Sequence, residues 1–295
     1  MSYNRFKGTG VAMITPFKAD KSVDYRAFEN LIESLIRNQV DYLLVMGTTA
    51  ESVTLSEEEK NEIIETAIRV NAGRVPLMLG LGGNCTENVV KAIKKQNFDG
   101  IDAILSVTPY YNKPNQEGLY LHYSEIAKAS PVPVMLYNVP GRTGINMKSE
   151  TVLRLAQEHK NIFGIKEASG DIIQIMDLIK NRPNGFLVVS GDDAITFPLV
   201  TLGGDGVISV IANAFPKEFS QMVRDVLNGD LDKSKAMHFR YTDIIKNLFI
   251  EGNPAGIKAL LNIQNMIENE LRLPLVPVST PTYLQLKEQV NEVYR

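Results

Sequence analysis

Eight short apolar runs, rich in β-branched residues and each followed by a longer segment with helical spacing, set the strongest limit on what this chain can fold into. The runs are Gly10–Ile14, Tyr42–Val45, Pro76–Leu79, Ala103–Val107, Val134–Tyr137, Ile162–Lys166, Phe186–Ser190 and Gly206–Ser209. Tyr25–Asn38, Ser56–Asn71, Thr86–Gln96, Gln116–Ala129, Ser149–Glu158, Asp171–Asn181, Ala194–Leu202 and Phe215–Asn228 read as helices, several opening on a capping Ser, Thr or Asp. Ser56-Glu57-Glu58-Glu59 has the form of a capping box. Eight strand–helix units close into a barrel, whereas a doubly wound sheet more often stops at about five or six strands. The expected fold is therefore α/β, a (β/α)8 TIM barrel over residues 1–228. Residues 229–295 form a helical extension packed on it, with helices at Asp232–Phe249, Pro254–Asn265 and Pro281–Val293. Ile244, Ile245, Leu248 and Phe249 give that extension a face to bury against the barrel or a neighbouring subunit.

At 295 residues the chain suits one barrel of about 250 residues with added helices. A net charge of −3 offers no basic surface for nucleic acid or an anionic membrane, which leaves a small solute as the expected ligand. The start, Met1-Ser2-Tyr3-Asn4-Arg5-Phe6-Lys7-Gly8, lacks the apolar centre of a secretory signal, and no later segment is apolar enough to span a membrane. A cytoplasmic protein is expected. Cys85 is the only cysteine, which excludes an intrachain disulfide or a thiolate metal cluster. With no histidine near it in sequence, Cys85 reads as a loop or helix-start residue rather than a nucleophile.

Chemistry in such a barrel belongs at the carboxyl ends of the strands. Strand two is followed by Gly47-Thr48-Thr49-Ala50-Glu51-Ser52 and strand four by Thr108-Pro109-Tyr110-Tyr111-Asn112. Strand five ends in Tyr137-Asn138-Val139-Pro140-Gly141-Arg142-Thr143-Gly144, and strand six in Lys166-Glu167-Ala168-Ser169-Gly170-Asp171. Lys166 closes an apolar run, so its stem should lie in the barrel and its nitrogen in a medium of low dielectric. Burial disfavours the charged form of an amine, and the neutral form is the one that attacks a ketone. Imine chemistry also moves protons, yet His122, His159 and His238 all fall in expected helices. Tyr137, Tyr111 and Thr48 can supply a hydroxyl relay instead. Arg142, in a turn between two glycines, is a candidate clamp for a carboxylate.

Other candidates carry less. Asp192 and Asp193 follow strand seven without the third ligand that a metal pair would need. Gly80-Leu81-Gly82-Gly83 has Cys85 where a dinucleotide fingerprint needs its third glycine, and Gly203-Gly204-Asp205-Gly206 lies at the far end of the barrel. No metal or nucleotide site is expected.

Taken in order, the segments from Gly47 to Ser52, Tyr110 to Pro114, Tyr137 to Gly144 and Gly164 to Asp171 resemble the dihydrodipicolinate synthase family over nearly the whole chain. The resemblance implies condensation of pyruvate with aspartate 4-semialdehyde, at the opening of the diaminopimelate route to lysine. It implies that Lys166 forms the pyruvate imine, that Tyr137 exchanges protons, and that Thr48 and Tyr111 complete the relay. Thr49 would hold the pyruvate carboxylate, Gly191 and Ile208 would give backbone contacts, and Arg142 would gather the second substrate. A homotetramer of tight dimers, with Tyr111 entering from a neighbouring subunit, is implied as well, and no cofactor. Ser52, Asn84 and Tyr110 match the family's regulatory cleft, whereas Glu57, Lys60 and Asn88 replace the histidines and glutamate of lysine-sensitive members. Little inhibition by lysine is expected. Ala50 departs from the family's usual glycine.

Two other functions compete. A lyase acting on a 2-keto-3-deoxy sugar acid or sialic acid would share the lysine and tyrosine, but as a rule lacks an arginine at the place of Arg142. A metabolite sensor descended from such a barrel should have lost part of the Lys166, Tyr137 and Thr48 set, which is complete here.

Overall fold

Each apolar run becomes a strand in a computed structural model that describes residues 3–293. The strands are β1 (Gly8–Ala12), β2 (Tyr42–Val45), β3 (Leu77–Gly80), β4 (Ala103–Val107), β5 (Val134–Asn138), β6 (Ile162–Glu167), β7 (Leu187–Ser190) and β8 (Gly206–Ser209). All pair in parallel with their sequence neighbours, and β8 returns to β1, so the closed sheet has no free edge. β1 begins two residues before the expected Gly10 and ends at Ala12, because Met13 and Ile14 continue the apolar run but leave the sheet.

Outside the barrel run α1 (Tyr25–Arg37), α2 (Glu57–Asn71), α3 (Thr86–Lys95), α4 (Gln116–Ala129), α5 (Pro140–Thr143), α6 (Ser149–Glu158), α7 (Ile172–Asn181), α8 (Thr196–Thr201) and α9 (Pro216–Leu227). Of the expected capping residues, Ser56 and Asp171 cap their helices, whereas Thr86 and Ser149 are the first helical residues, preceded by Cys85 and Lys148 with no side-chain cap. Ser56 Oγ accepts from the Glu59 amide and the Glu59 carboxylate accepts from the Ser56 amide, completing the capping box. Asp24 and Asp171 cap α1 and α7 with a carboxylate alone, which accepts from the Ala27 amide and from the Ile173 and Gln174 amides respectively. The turn of helix α5, which carries Arg142, was not separable from a loop in the sequence; it is four residues long and starts on a proline.

Along the strands side chains alternate. Ala12, Leu44, Met78, Leu105, Met135, Val189 and Ile208 fill the barrel interior. Val11, Leu43, Leu79, Ile104, Leu136, Val188 and Val207 pack under the helices. β6 breaks this alternation once. Val134 pairs with Ile162 but Met135 pairs with Gly164, which leaves Phe163 as an extra residue in the strand. Phe163 turns inward at the base of the barrel, where its ring lies 5.2 Å from that of Phe6. After the irregularity Ile165 faces the helices and Lys166 the interior.

The extension consists of α10 (Leu231–Phe249), α11 (Ala255–Ile263) and α12 (Thr280–Val293). Ile244, Ile245 and Leu248 are buried, and α10 packs on α8, α9, α11 and α12. Residues of α10 also reach the carboxyl end of the barrel. At the opposite end Asp205 pairs with Lys7 at 3.0 Å and with Arg182, which accounts for that glycine-flanked segment as a structural closure.

Candidate active site

The carboxyl ends of the strands surround a cavity of about 910 Å³. Lys166 enters it from β6 with 5% of its surface exposed. Tyr137 stands beside it in register on β5, and the lysine nitrogen lies 4.5 Å from the centre of the tyrosine ring. Gly191, at the end of β7, closes the other side. A Cβ there would come within 2.9 Å of Lys166 Cε and 2.8 Å of Ala168 Cβ, so the missing side chain is what leaves room for the lysine stem.

Glu167, the next residue, points the other way into the layer of helices. Its buried carboxylate accepts from the Ser169 amide at 2.7 Å, from Asn138 at 3.1 Å and from Gln174 of α7 at 3.1 Å. Burial pushes its pKa up, and these donors pull against that shift. Its bonds tie the end of β6 to β5 and α7, which holds the strand that carries Lys166.

Thr48 and Thr49 lie in a 3-10 turn, Thr48–Ala50, after β2. Thr48 is exposed to the cavity and Thr49 is buried in its wall. Glu51 ends the turn in the left-handed region, at φ 53°, and its amide donates to Thr48 O. Met46 before the turn is also left-handed, at φ 59°. Because these two residues absorb the unusual angles, Ala50 does not need the freedom of glycine. Its carbonyl accepts from Thr15 Oγ1 at 2.8 Å.

Arg142 reaches the cavity from α5, and its guanidinium donates to the carbonyl of Asn253 at 3.1 Å. The side-chain amide of Asn253 donates to Thr49 Oγ1 at 2.9 Å. One residue of the segment between α10 and α11 therefore touches both expected substrate ligands. Thr242, Lys246 and Phe249 of α10 complete that wall.

Two expected site residues lie elsewhere. Ile208 is buried in the barrel interior, and its side chain does not line the cavity. Tyr111 is 90% exposed, with φ 75°, and projects outward from the loop after β4 rather than into this chain's own cavity. Its neighbour Tyr110 does line the cavity.

A second cavity, of about 720 Å³, adjoins the first. Ser52, Asn84 and Tyr110 line it together with Glu57, Lys60 and Asn88. Asn84 donates to the carbonyl of Tyr110 at 3.2 Å, and Lys60 donates to Glu57 at 2.7 Å. Gly80 and Gly82 sit between the two cavities, and a Cβ at Gly80 would lie 2.3 Å from Met46 O. Close backbone packing explains these glycines without a phosphate.

The remaining candidates have structural partners. Asp193 accepts from the amides of Val210 and Ile211 at 3.0 and 2.9 Å, and Asp192 from that of Ala194 at 2.9 Å. No cluster of three or more metal-ligating side chains occurs among the described residues. Cys85 is exposed at the N-cap of α3. None of the three histidines lines the first cavity: His122 bonds Thr86, His159 bonds Ser124, and His238 stacks on Phe197.

A sequence model of the dihydrodipicolinate synthetase family matches residues 5–293. The chain belongs to that family. Over 287 residues, 97% of each chain, it is 57% identical to a 4-hydroxy-tetrahydrodipicolinate synthase of Parabacteroides distasonis. It is 54% identical over 293 residues, 99% of each chain, to the enzyme of that name from Phocaeicola vulgatus. The solved dihydrodipicolinate synthase of Thermotoga maritima superimposes with a TM-score of 0.96 at 42% identity, over 98% of this chain and 99% of its own. Family membership accounts for the barrel and its added C-terminal helices, which the solved relatives share.

Two features of this dihydrodipicolinate synthetase family member escaped the sequence reading. Asn253 sits in an Asn-Pro step far from any strand end. Lys258, in the middle of an apolar helix, is wholly buried and forms an ion pair with Glu51 at 2.5 Å. Burial lowers its pKa to about 8, against which the carboxylate of Glu51 acts. A charged residue inside an apolar run was the available signal for the second.

Proposed function

We propose that this enzyme, as a 4-hydroxy-tetrahydrodipicolinate synthase, condenses pyruvate with L-aspartate 4-semialdehyde in the diaminopimelate route to lysine, with Lys166 as the carrier of pyruvate. Its family and its relatives' names support the reaction. The single observation that carries the residue assignment is the placement of Lys166 beside Tyr137, in register, at the wall of the cavity.

In this reading the Lys166 amine adds to the keto carbon of pyruvate, and the carbinolamine loses water to give an imine. A proton then leaves the methyl carbon and an enamine forms. That carbon attacks the aldehyde of the second substrate, whose oxygen takes up a proton and remains as the hydroxyl of the product. The acceptor's amino group finally displaces Lys166 and closes the ring. Tyr137 donates and accepts protons at the imine carbon's substituents, and Thr48 with Tyr111 passes them to solvent.

Thr49 binds the pyruvate carboxylate and Arg142 that of the aldehyde, as a two-pronged donor suits. Gly191 admits the lysine stem and offers backbone contacts, and Ile208 contributes through its main chain. Because Tyr111 projects away from its own cavity, we assign it to the site of a neighbouring subunit in a homotetramer built from tight dimers. No organic cofactor or metal enters this chemistry. No described helix is long and apolar enough to cross a membrane, and we assign the enzyme to the cytoplasm with the rest of its route. Residues 1–228 form the catalytic barrel and 229–295 an extension that completes the cavity wall.

Borohydride reduction in the presence of pyruvate tests the assignment. A pyruvate adduct on the peptide carrying Lys166 is expected. Its absence, or an adduct on another lysine, rejects Lys166 as the carrier.

A further inference from the structure

We infer that Glu51 and Lys258 are positioning residues, a buried couple through which the C-terminal extension fixes the Thr48–Thr49 turn in the shape that receives the pyruvate carboxylate. This inference rests on the pyruvate assignment proposed above.

Both side chains are entirely inaccessible and stand 2.5 Å apart. Lys258 belongs to α11 and Glu51 ends the catalytic turn, so the contact joins the extension to the barrel mouth. Such a pair is seldom retained for stability, because removing two ions from water offsets most of their attraction. Its use lies in what it fixes. Glu51 is a non-glycine residue in the left-handed region, an arrangement that persists only where the surroundings over-determine it.

The surroundings do so here. The second carboxylate oxygen of Glu51 accepts from the Arg272 amide at 3.1 Å, and the Glu51 carbonyl accepts from Thr54 Oγ1 at 2.9 Å. Lys258 also donates to Glu270 O at 3.0 Å and lies 4.0 Å from the centre of the Phe17 ring. The guanidinium of Arg272 is on that same ring, at 4.5 Å, and is held by Glu59. Five residues before Lys258, Asn253 donates to Thr49 Oγ1. The turn is thus gripped twice by one segment of the extension: at Thr49 by an amide and at Glu51 by an ammonium. Arg142 is tied to that segment only through the backbone carbonyl of Asn253. Loss of the ion pair should therefore disturb the first substrate and spare the second.

Single replacements would strand a buried charge, so the test is the double variant E51Q/K258M, which removes both. Melting temperature and the KM of each substrate are measured on the intact enzyme. The double variant should stay folded, with KM for pyruvate raised about tenfold and KM for aspartate 4-semialdehyde changed less than about twofold. Unchanged constants, or equal shifts in both, overturn the inference, since a merely structural role would not separate the substrates. Should the double variant fail to fold, E51D keeps the charge but shortens the reach, and the same selective rise or its absence decides. Thr49→Val separates the two levels of claim. If its pyruvate KM does not rise, the pyruvate assignment itself fails; if it rises while that of the double variant stays put, only the positioning role fails.

Discussion

The hydroxyl of Thr49 accepts a 2.9 Å hydrogen bond from the side chain of Asn253, although 204 residues separate the two. Asn253→Ala deletes that bond but keeps the backbone carbonyl to which Arg142 donates. Steady-state kinetics should show KM for pyruvate raised about tenfold, with the fold intact and the aldehyde constant nearly unchanged. Equal affinity for pyruvate in variant and parent would remove Asn253 from the site.

Gly191→Ala probes the space around the lysine. The added methyl would sit 2.9 Å from Lys166 Cε and 2.8 Å from Ala168 Cβ, so the stem must move. A displacement of even ~1 Å at a reacting amine can cost about a hundredfold in rate. The variant should melt near the parent temperature yet lose that much turnover and label slowly with borohydride and pyruvate. Normal labelling would show that the wall yields without consequence.

Subunit mixing decides where Tyr111 acts. Its side chain is 90% exposed on its own protomer. If it serves a neighbour, Tyr111→Phe and Lys166→Ala should each be nearly inactive alone but recover activity when unfolded and refolded together, since a mixed pair rebuilds one whole site. Mass measurement confirms that mixed pairs formed. Mixed pairs with no recovered activity would place the tyrosine's role within its own chain or nowhere.

Lysine should be a poor inhibitor. In the second cavity the Glu57 carboxylate already receives the Lys60 ammonium at 2.7 Å, and Asn88 offers no charge. An incoming α-amino group would have to compete for that acid. At physiological lysine concentration the rate should fall by less than the roughly fivefold effect at which coupled sites usually begin. Inhibition beyond that would contradict the expectation drawn from Glu57, Lys60 and Asn88.

His122 gives a pH dependence of stability. Its ring is buried on the inner side of α4, beside Thr86 of α3, and burial lowers its pKa to about 4 from an ordinary 6.5. The unfolded chain takes up a proton here near pH 6.5 and the folded chain only near pH 4. Its contribution is therefore whole above pH 6.5 and is lost as pH falls toward about 4, to the extent of roughly 3 kcal/mol. Urea unfolding of the parent and of His122→Gln, above pH 6.5 and near pH 4, should show the parent losing more on acidification. Parallel losses would assign the acid sensitivity to other groups.

Much of this was legible in the sequence. Strand-end position singled out Lys166, and Tyr137 followed as a strand-end hydroxyl beside that lysine, because in a barrel every strand delivers its last inward residue to one mouth. Period and caps located the helices. What escaped depends on contacts between distant segments. Asn253, in the segment before α11, and Lys258, in α11, lie outside the barrel repeat, and nothing local marks which of their atoms will meet Thr49 or Glu51. Tyr111 shows the converse: its strand-end position is right, and its direction is set by a left-handed backbone that spacing does not reveal.

The irregularity at Phe163 makes the chemistry a matter of counting. If the same residues of β6 ran in regular register with no irregularity, every side chain after Phe163 would change sides, so that Glu167 would enter the barrel and the lysine would lie among the helices. An acid would then occupy the place of the amine, in a scaffold otherwise unaltered. The identity of the reactive group is thus fixed by a single odd step in the strand as firmly as by the residue itself.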